Sequence, residues 1–354
     1  VREDTEAQEL IKFEIDNKID MNIIVPMAGM GKRMRPHTLT VPKPLVPIAG
    51  KPIVQRLVED IAKVAQNNID HVAFVIGHFG DAVEKQLLEI ALSVGATGSI
   101  HYQEEALGTA HAILCAKEHL VGNTIVAFAD TLFKADFTLD KNEDGIIWVQ
   151  KIEDPRAFGV VKLNQEGVIT DFVEKPQEFV SDLAIIGIYY FRDGVYLRDQ
   201  LQYLIDNDVR DKGEYQITNA LENMKMGGIK FKPGAVTEWL DCGNKNATVH
   251  TNSRYLEYIK ESPLIADSAL ITNSVIIPPV YVGENVKINN SVIGPHVSVG
   301  DYTQIMDSRI ENSIIQTHSE ISKAVLGNSM IGNYAILHKK AGELSVGDYN
   351  QITD

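Results

Sequence analysis

The stretch MNIIVPMAGMGKRMRPHTLTVPKPLVPIAGKP, residues 21–52, carries the reading from which the rest of the chain follows. Asn22–Val25 reads as a buried strand, and the apolar run ends at Met27. Ala28, Gly29, Met30, Gly31, Lys32 and Arg33 come next. Small residues let the backbone approach a ligand closely, and consecutive N–H groups cradle phosphate oxygens. Lys32, Arg33, Arg35 and Lys43 concentrate positive charge in a chain whose formal net charge is −15. A polyphosphate ligand gives that concentration a reason. Two better-known phosphate devices do not fit. The pattern G-x-x-x-x-G-K-[ST] is absent. After Gly29-x-Gly31, the third glycine of a dinucleotide fingerprint is replaced by Met34. Prolines at 36, 42, 44 and 47 bar a long helix directly after the glycines. What remains is a cationic, proline-stiffened loop at the end of a strand.

Around this loop, helical and strand patterns alternate up to about Tyr258. Pro52–Gln66 reads as a helix, with Ile53, Leu57, Ile61 and Val64 on one face and Pro52 in its first turn. His71–Ile76, Ser99–Gln103 and Thr124–Ala129 read as strands, Asp81–Leu92 and Gly108–Glu118 as helices. Past Gly145, strands are expected at Ile146–Gln150, Val160–Leu163, Val168–Glu174 and Ala184–Phe191. Helices near Tyr196–Ile205 and Tyr215–Met226, a late strand at Val236–Leu240 and an exit helix at Asn244–Lys260 complete the region. The rhythm predicts an α/β domain over 21–258, a Rossmann-like, mostly parallel sheet flanked by helices.

From Leu264 the helical period disappears. TNSVIIP (272–278), NNSVIGP (289–295) and MDSRIEN (306–312) recur at a step of 17, with Ser274, Ser291 and Ser308 in register. Between them apolar residues return every five or six positions, at Ile265, Ile271, Ile277, Val282, Ile288, Ile293, Val299, Ile305 and onward to Ile331. This hexapeptide period predicts a C-terminal left-handed parallel β-helix over 259–354, in which each coil is buried by the next. A small β-sandwich would instead alternate with period two between hairpin turns.

Composition excludes several classes. Hydrophobic residues at 44% and charged residues at 23% describe a globular chain and rule out disorder as its theme. With 33 Lys and Arg against 48 Asp and Glu, broad nucleic-acid binding is not expected, because it needs clustered cations. Cys115 and Cys242 are the only cysteines, which excludes a disulfide framework and a four-thiolate zinc site and fits a reducing, cytoplasmic setting. No apolar run reaches the ~18 residues of a membrane span. Residues 1–20 mix charges throughout, lack a signal-peptide core, and read as an N-terminal extension or cloning remnant ahead of Met21.

At this point the chain resembles a family, the sugar-1-phosphate nucleotidyltransferases, and most closely the long glucose-1-phosphate thymidylyltransferases that end in a left-handed β-helix. The family loop G-x-G-T-R-[LM]-x-P-x-T, then P-K and G/N-K-P, corresponds to Gly29–Thr38, Pro42-Lys43 and Gly50-Lys51-Pro52, with Lys32 where threonine is usual. Further matches are Gln103–Ala110, Ala129-Asp130-Thr131, Phe158–Val161, Glu174-Lys175-Pro176, Gly187–Tyr189, Gly213–Thr218 and Trp239–Gly243. Ala129 and Cys242 depart from the usual glycine and threonine.

The resemblance implies NTP + sugar 1-phosphate ⇌ NDP-sugar + pyrophosphate, with Mg²⁺ held by Asp130 and Asp241. Arg33 and Lys43 would be the catalytic cations. Ala28, Gly29, Gly31, Lys32, Gln103, Gly108 and Thr109 would bind the nucleotide. Gly159, Glu174, Lys175 and Tyr189 would bind the sugar phosphate. Lys32 and Arg35 divide evenly between phosphate and solvent, and Tyr189 between core and sugar. Glu214 and Thr218 read first as caps of the following helix, and Cys242 as structural. The favoured pair is dTTP with glucose 1-phosphate; UTP with glucose or N-acetylglucosamine 1-phosphate and GTP with mannose 1-phosphate stay open. A non-catalytic nucleotide-sugar-binding regulatory subunit would be expected to have lost Arg33, Lys43, Asp130 or Asp241, all of which are present. His296, His318 and His338 read as turn or face residues of the β-helix, not as an acetyl-transfer site. The flat faces of a β-helix lead us to expect a homo-oligomer, with dimer, trimer and tetramer all open.

Overall fold

A strand buried along its whole length, β1 (Met21–Pro26), organises the first half of the chain. The computed structural model describes residues 21–66, 68–135 and 138–353, so the extension at 1–20 lies outside the described residues. Two compact units result. The first comprises residues up to Gly29 with Val58–Ala129 and Phe133–Trp239; the second comprises Met30–Leu57, Asp130–Leu132 and the chain from Leu240. In chain order the strands are β1, β2 (Pro47–Ile48), β3 (Lys51–Pro52), β4 (His71–Ile76), β5 (Thr97–Tyr102), β6 (Asn123–Ala127) and β7 (Thr131–Lys134). They continue with β8 (Gly145–Lys151), β9 (Gly159–Leu163), β10 (Ile169–Glu174), β11 (Leu183–Phe191), β12 (Phe231–Ala235) and β13 (Glu238–Asp241). The helices are α1 (Ile53–Val64), α2 (Asp81–Ser93), α3 (Thr109–Leu114), α4 (Gly194–Asp206), α5 (Ile217–Met226) and α6 (Lys245–Tyr258).

In the first unit a nine-stranded sheet runs β10-β9-β11-β6-β1-β4-β5, with β8 beside β11 and β12 beside β8. The half built from β5, β4, β1 and β6 is parallel, as the alternation predicts. From β11 outward the pairing with β6, β8 and β9 is antiparallel, so the sheet is mixed. Strands β8 to β11 follow one another through connections shorter than the crossover of about a dozen residues that a parallel neighbour in an open sheet needs. Four strands escape the pattern reading: the two-residue β2 and β3, the latter taking Pro52 that was expected in the helix, and also β7 and β12. β7 is only four residues long, and β12 contains Pro233 and Gly234, which weaken a strand signal. The core between sheet and helices gathers Ile24, Val126, Phe191, Leu201, Leu221 and Phe231. No described helix is long and apolar enough to cross a membrane.

The second unit contains the left-handed β-helix. Its strands form three parallel sheets, and each strand pairs with the equivalent strand one coil later. Ile288, Ile305 and Ile321 stack in one interior column, Ile293, Ile310 and Leu326 in a second, Val299, Ile315 and Ile331 in a third. The serine register has a direct cause. Ser291 N donates to Ser274 Oγ and Ser308 N to Ser291 Oγ, each at 3.0 Å, so the hydroxyl closes one coil onto the next. Two interior assignments change: Ile265, at the start of the first coil, is exposed, and so is Ile277. Ile277 is 41% exposed, while Ile276 pairs with the interior Ile293, because β pairing sets the register here by one residue.

Candidate active site

In the second unit the glycine loop forms two single 3₁₀ turns, Lys32–Met34 and Lys43–Leu45. Gly31 has φ +55°, and a Cβ there would stand 2.9 Å from Lys43 Cβ. Glycine therefore lets the stem of Lys43 pass against the turn. Thr38 Oγ1 donates to Gly31 O at 2.8 Å and fastens the bend. Lys43 is buried, with Nζ 3.1 Å from Asp130 Oδ2. The Asp130 carbonyl accepts from Cys242 N at 3.0 Å, which places Asp241 next to that bond. Asp241 Oδ1 accepts from Gly243 N at 2.9 Å, and a Cβ on Gly243 would come within 2.9 Å of the carboxylate. Burial raises the Asp241 pKa and Asp130 adds to the rise, while Lys43 and Arg33 oppose it. Arg33, Lys43 and Asp130 thus all act on Asp241, Lys43 also pairs with Asp130, and Arg33 is exposed. Lys32 and Arg35 are exposed. Cys242 is fully buried and its thiol is pushed up to about 12 by that burial, so it stays protonated and unreactive. Carboxylates are hard oxygen donors; two of them, one driven toward its neutral form by burial and then by the other, fit a divalent cation.

The first unit holds the remaining candidates. Ala28 is half-buried, and a Cβ on exposed Gly29 would meet nothing within 4 Å, leaving that backbone open. Gln103 follows β5, and its Nε2 faces His111 Nδ1 at 3.1 Å and Gly108 O at 3.3 Å. Burial lowers the His111 pKa, so the neutral ring accepts this proton and orients the carboxamide. Gly108 has φ +117°, and a Cβ would stand 2.4 Å from the carbonyl oxygen of Tyr215, so the chain's own close approach already demands glycine. Gly108→Ala should therefore cost roughly 2–4 kcal/mol, strain and overpacking together, read by chemical denaturation.

Thr109 Oγ1 donates to Gln216 Oε1 at 3.0 Å and accepts from Ile217 N at 2.9 Å, so it caps α5. Glu214 and Thr218, expected as the caps, do not fill that role. Thr218 Oγ1 is instead buried with no hydrogen-bond partner among the described residues. It lies beside Gly159, where a Cβ would stand 3.1 Å from Glu174 Oε2 and 3.7 Å from Thr218 Cγ2. Lys175, at φ +42°, turns its Nζ to 3.4 Å from Glu174 Oε1. Lys212 donates to the carbonyls of Glu174 and Lys175 at 3.4 and 3.3 Å, a second cation at the same corner. Tyr189 is buried in the aromatic core, edge-on to Phe128. His111 and Lys212 lie one residue outside the Gln103–Ala110 and Gly213–Thr218 segments, and that adjacency was their only signal in the sequence.

Residues 22–258 match the family described as Nucleotidyl transferase. The chain belongs to that family. It is 30% identical over 269 residues to the bifunctional protein GlmU of Methanococcus vannielii, covering 73% of this chain and 61% of that relative. It thus spans about three fifths of the length of such relatives. It is 31% identical over 280 residues to the catalytic subunit beta of mannose-1-phosphate guanylyltransferase of Xenopus tropicalis, covering 75% and 74%. Among solved structures, UDP-glucose pyrophosphorylase complexed with UDP-glucose superposes with a TM-score of 0.56 at 25% identity, covering 67% of this chain and 99% of that one.

In this nucleotidyl transferase the loop folds with the β-helix, inside the second unit. Ala49 N donates to Asn252 Oδ1 at 2.9 Å, and the same oxygen accepts from Ser298 Oγ at 2.7 Å. Gly50 lies flat on Tyr281, whose ring a Cβ would strike at 2.2 Å. Pro36 packs on Gly347, Thr40 bonds Asp348, and His37 Nε2 meets Ser345 Oγ at 3.1 Å. His37 is 1% exposed, and burial pulls its pKa down to about 4. Its folded pKa lies below the unfolded value, so the unfolded chain binds the proton more readily. Stability should then fall as pH drops from about 6.5 toward 4, by up to about 3 kcal/mol from this group. Melting curves at pH 7 and pH 5 should show a larger acid loss in the wild type than in His37→Gln.

Proposed function

We propose that the protein is a sugar-1-phosphate nucleotidyltransferase, and the assembly of Arg33, Lys43, Asp130 and Asp241 carries that reading. An oxygen of the sugar phosphate attacks the α-phosphorus of an NTP, and the bond to the β-phosphate breaks with its electron pair leaving on pyrophosphate. Such transfers need little covalent help from the protein; positioning and charge neutralisation supply the rate. Lys43 is fixed by its pair with Asp130 and by the turn at Gly31, so its charge is already in place when substrate arrives. Arg33, exposed and acting on the same Asp241, would take the departing phosphates. When bound to Asp130 and Asp241, Mg²⁺ would supply further neutralisation of phosphate charge. Glu174 and the unpartnered Thr218 hydroxyl suit sugar hydroxyls, and Lys175 with Lys212 suits the sugar phosphate.

Gln103 Nε2 is engaged by His111 Nδ1 and Gly108 O, which leaves Oε1 to accept from a base N–H. An acceptor alone does not separate pyrimidine from purine, so dTTP and UTP are placed ahead of purine nucleotides on the family resemblance. Glucose 1-phosphate with dTTP is the first pair to test, with UTP and N-acetylglucosamine 1-phosphate next to it. Pyrophosphate release is measured with Mg²⁺ across four NTPs and a panel of sugar 1-phosphates. Turnover with a pyrimidine pair is the expected result. Turnover only with GTP and mannose 1-phosphate would overturn the base assignment, and no turnover with any pair would overturn the catalytic reading in favour of a regulatory subunit.

A further inference from the structure

Apart from the phosphate loop, the first unit gathers His71, at the start of β4, His101 on the edge strand β5, and His119 in the single turn Lys117–His119. Ser99 and His101 are two residues apart on β5 and share one face. Ser99 Oγ meets His71 Nε2 at 2.7 Å, His101 Nε2 at 2.7 Å and His119 Nε2 at 3.1 Å. A hydroxyl offers one proton and two lone pairs, so these rings saturate it. His101 keeps Nδ1 for another partner, and that atom lies 3.5 Å from Glu118 Oε1. One ligand atom each from His101, Glu118 and His119 lies within 4.8 Å of the others. The rings of His101 and His119 meet at 73°, so their in-plane lone pairs can converge on one point. His71 is stacked on His119 at 3.8 Å and 8°, and parallel rings cannot both hold one ion in their planes. His71 therefore backs the His119 ring.

We propose that His101, His119 and Glu118 form a binding site for a divalent transition ion of the zinc class. Two imidazoles and a carboxylate leave a fourth tetrahedral position for water, and this donor set favours Zn²⁺ over Mg²⁺. Ser99 is the outer partner that metal-bound histidines require. Glu118 is exposed, so its side chain is free to turn toward an ion held by the two rings. The site would join β5 to the turn after α3 and so close the loop that carries Gln103, Gly108 and Thr109; the value of that closure for nucleotide binding rests on the proposed function, while the site itself does not.

The test uses the full chain in excess Mg²⁺, which keeps Asp130 and Asp241 supplied with a hard cation. Zn²⁺ is titrated by calorimetry and Co²⁺ by its visible absorption. One equivalent of Zn²⁺, tetrahedral Co²⁺ bands and a raised melting temperature are expected. The His101→Gln/His119→Gln chain should bind at least about 100-fold more weakly, more than the loss of an outer partner costs. Glu118→Gln, an exposed change that leaves the fold alone, should weaken binding at least about tenfold. Asp241→Ala should keep the zinc equivalent. No stoichiometric binding, binding unchanged in both variants, or zinc lost in Asp241→Ala would each overturn the site.

Discussion

An Asp241→Ala chain should lose at least ~10³-fold in metal-dependent turnover while melting close to the wild type. The two halves of that expectation have separate causes. Asp241 is driven toward its neutral form by burial first and by Asp130 second, so its ionised carboxylate is a burden on the folded state. Removing it relieves that burden and sacrifices the 2.9 Å bond from Gly243 N, worth about 1 kcal/mol. Stability should therefore change little. In the proposed reaction the same carboxylate serves as a metal ligand, and alanine offers no replacement for it. Asp241→Asn keeps an acceptor for Gly243 N and removes only the charge. Its turnover should fall as far as that of the alanine variant. A fully active asparagine variant would mean that charge at 241 is not what the reaction uses, and the two-carboxylate reading would fail.

The phosphate loop was legible because it is local. Glycines, prolines and cations within residues 28–52 specify a bend and its charge without help from the rest of the chain. The β-helix was legible for a similar reason, since its period repeats in neighbouring coils and the serine ladder follows from hydrogen bonds one coil apart. What could not be read is where the loop is moored. His37 and Ser345 are 308 positions apart, and no period or motif links them. The antiparallel half of the sheet was hidden likewise, because β11 pairs with three strands whose order only tertiary packing decides. At the site, Lys43, Asp130 and Asp241 stood out by motif. The orphaned Thr218 hydroxyl did not, since its isolation depends on Thr109 having taken over the cap.

Lys43→Met should cost about 10²–10³ in turnover, the range seen when one fixed electrostatic donor is removed from a transition state. Methionine retains the unbranched stem that packs against Gly31, where a Cβ would leave only 2.9 Å, so the loop should keep its bend. What disappears is a buried positive charge 3.1 Å from Asp130 that also restrains the rise in the Asp241 pKa. The Asp130 side chain is 46% exposed, so water screens much of the lost pair and the stability cost should be only about 1 kcal/mol. Arginine is not a neutral control here. Its planar fork is bulkier than an ammonium in the narrow space beside the turn, so Lys43→Arg should recover only part of the rate. Arg33→Ala gives the contrast, because an exposed side chain can be removed with no stability cost while turnover falls by a comparable factor. Paired kcat and melting measurements separate the roles. If Lys43→Met melted lower yet kept its kcat at saturating Mg²⁺, the lysine would only balance Asp130, and the positive charge required at the phosphates would have to come from Arg33 alone.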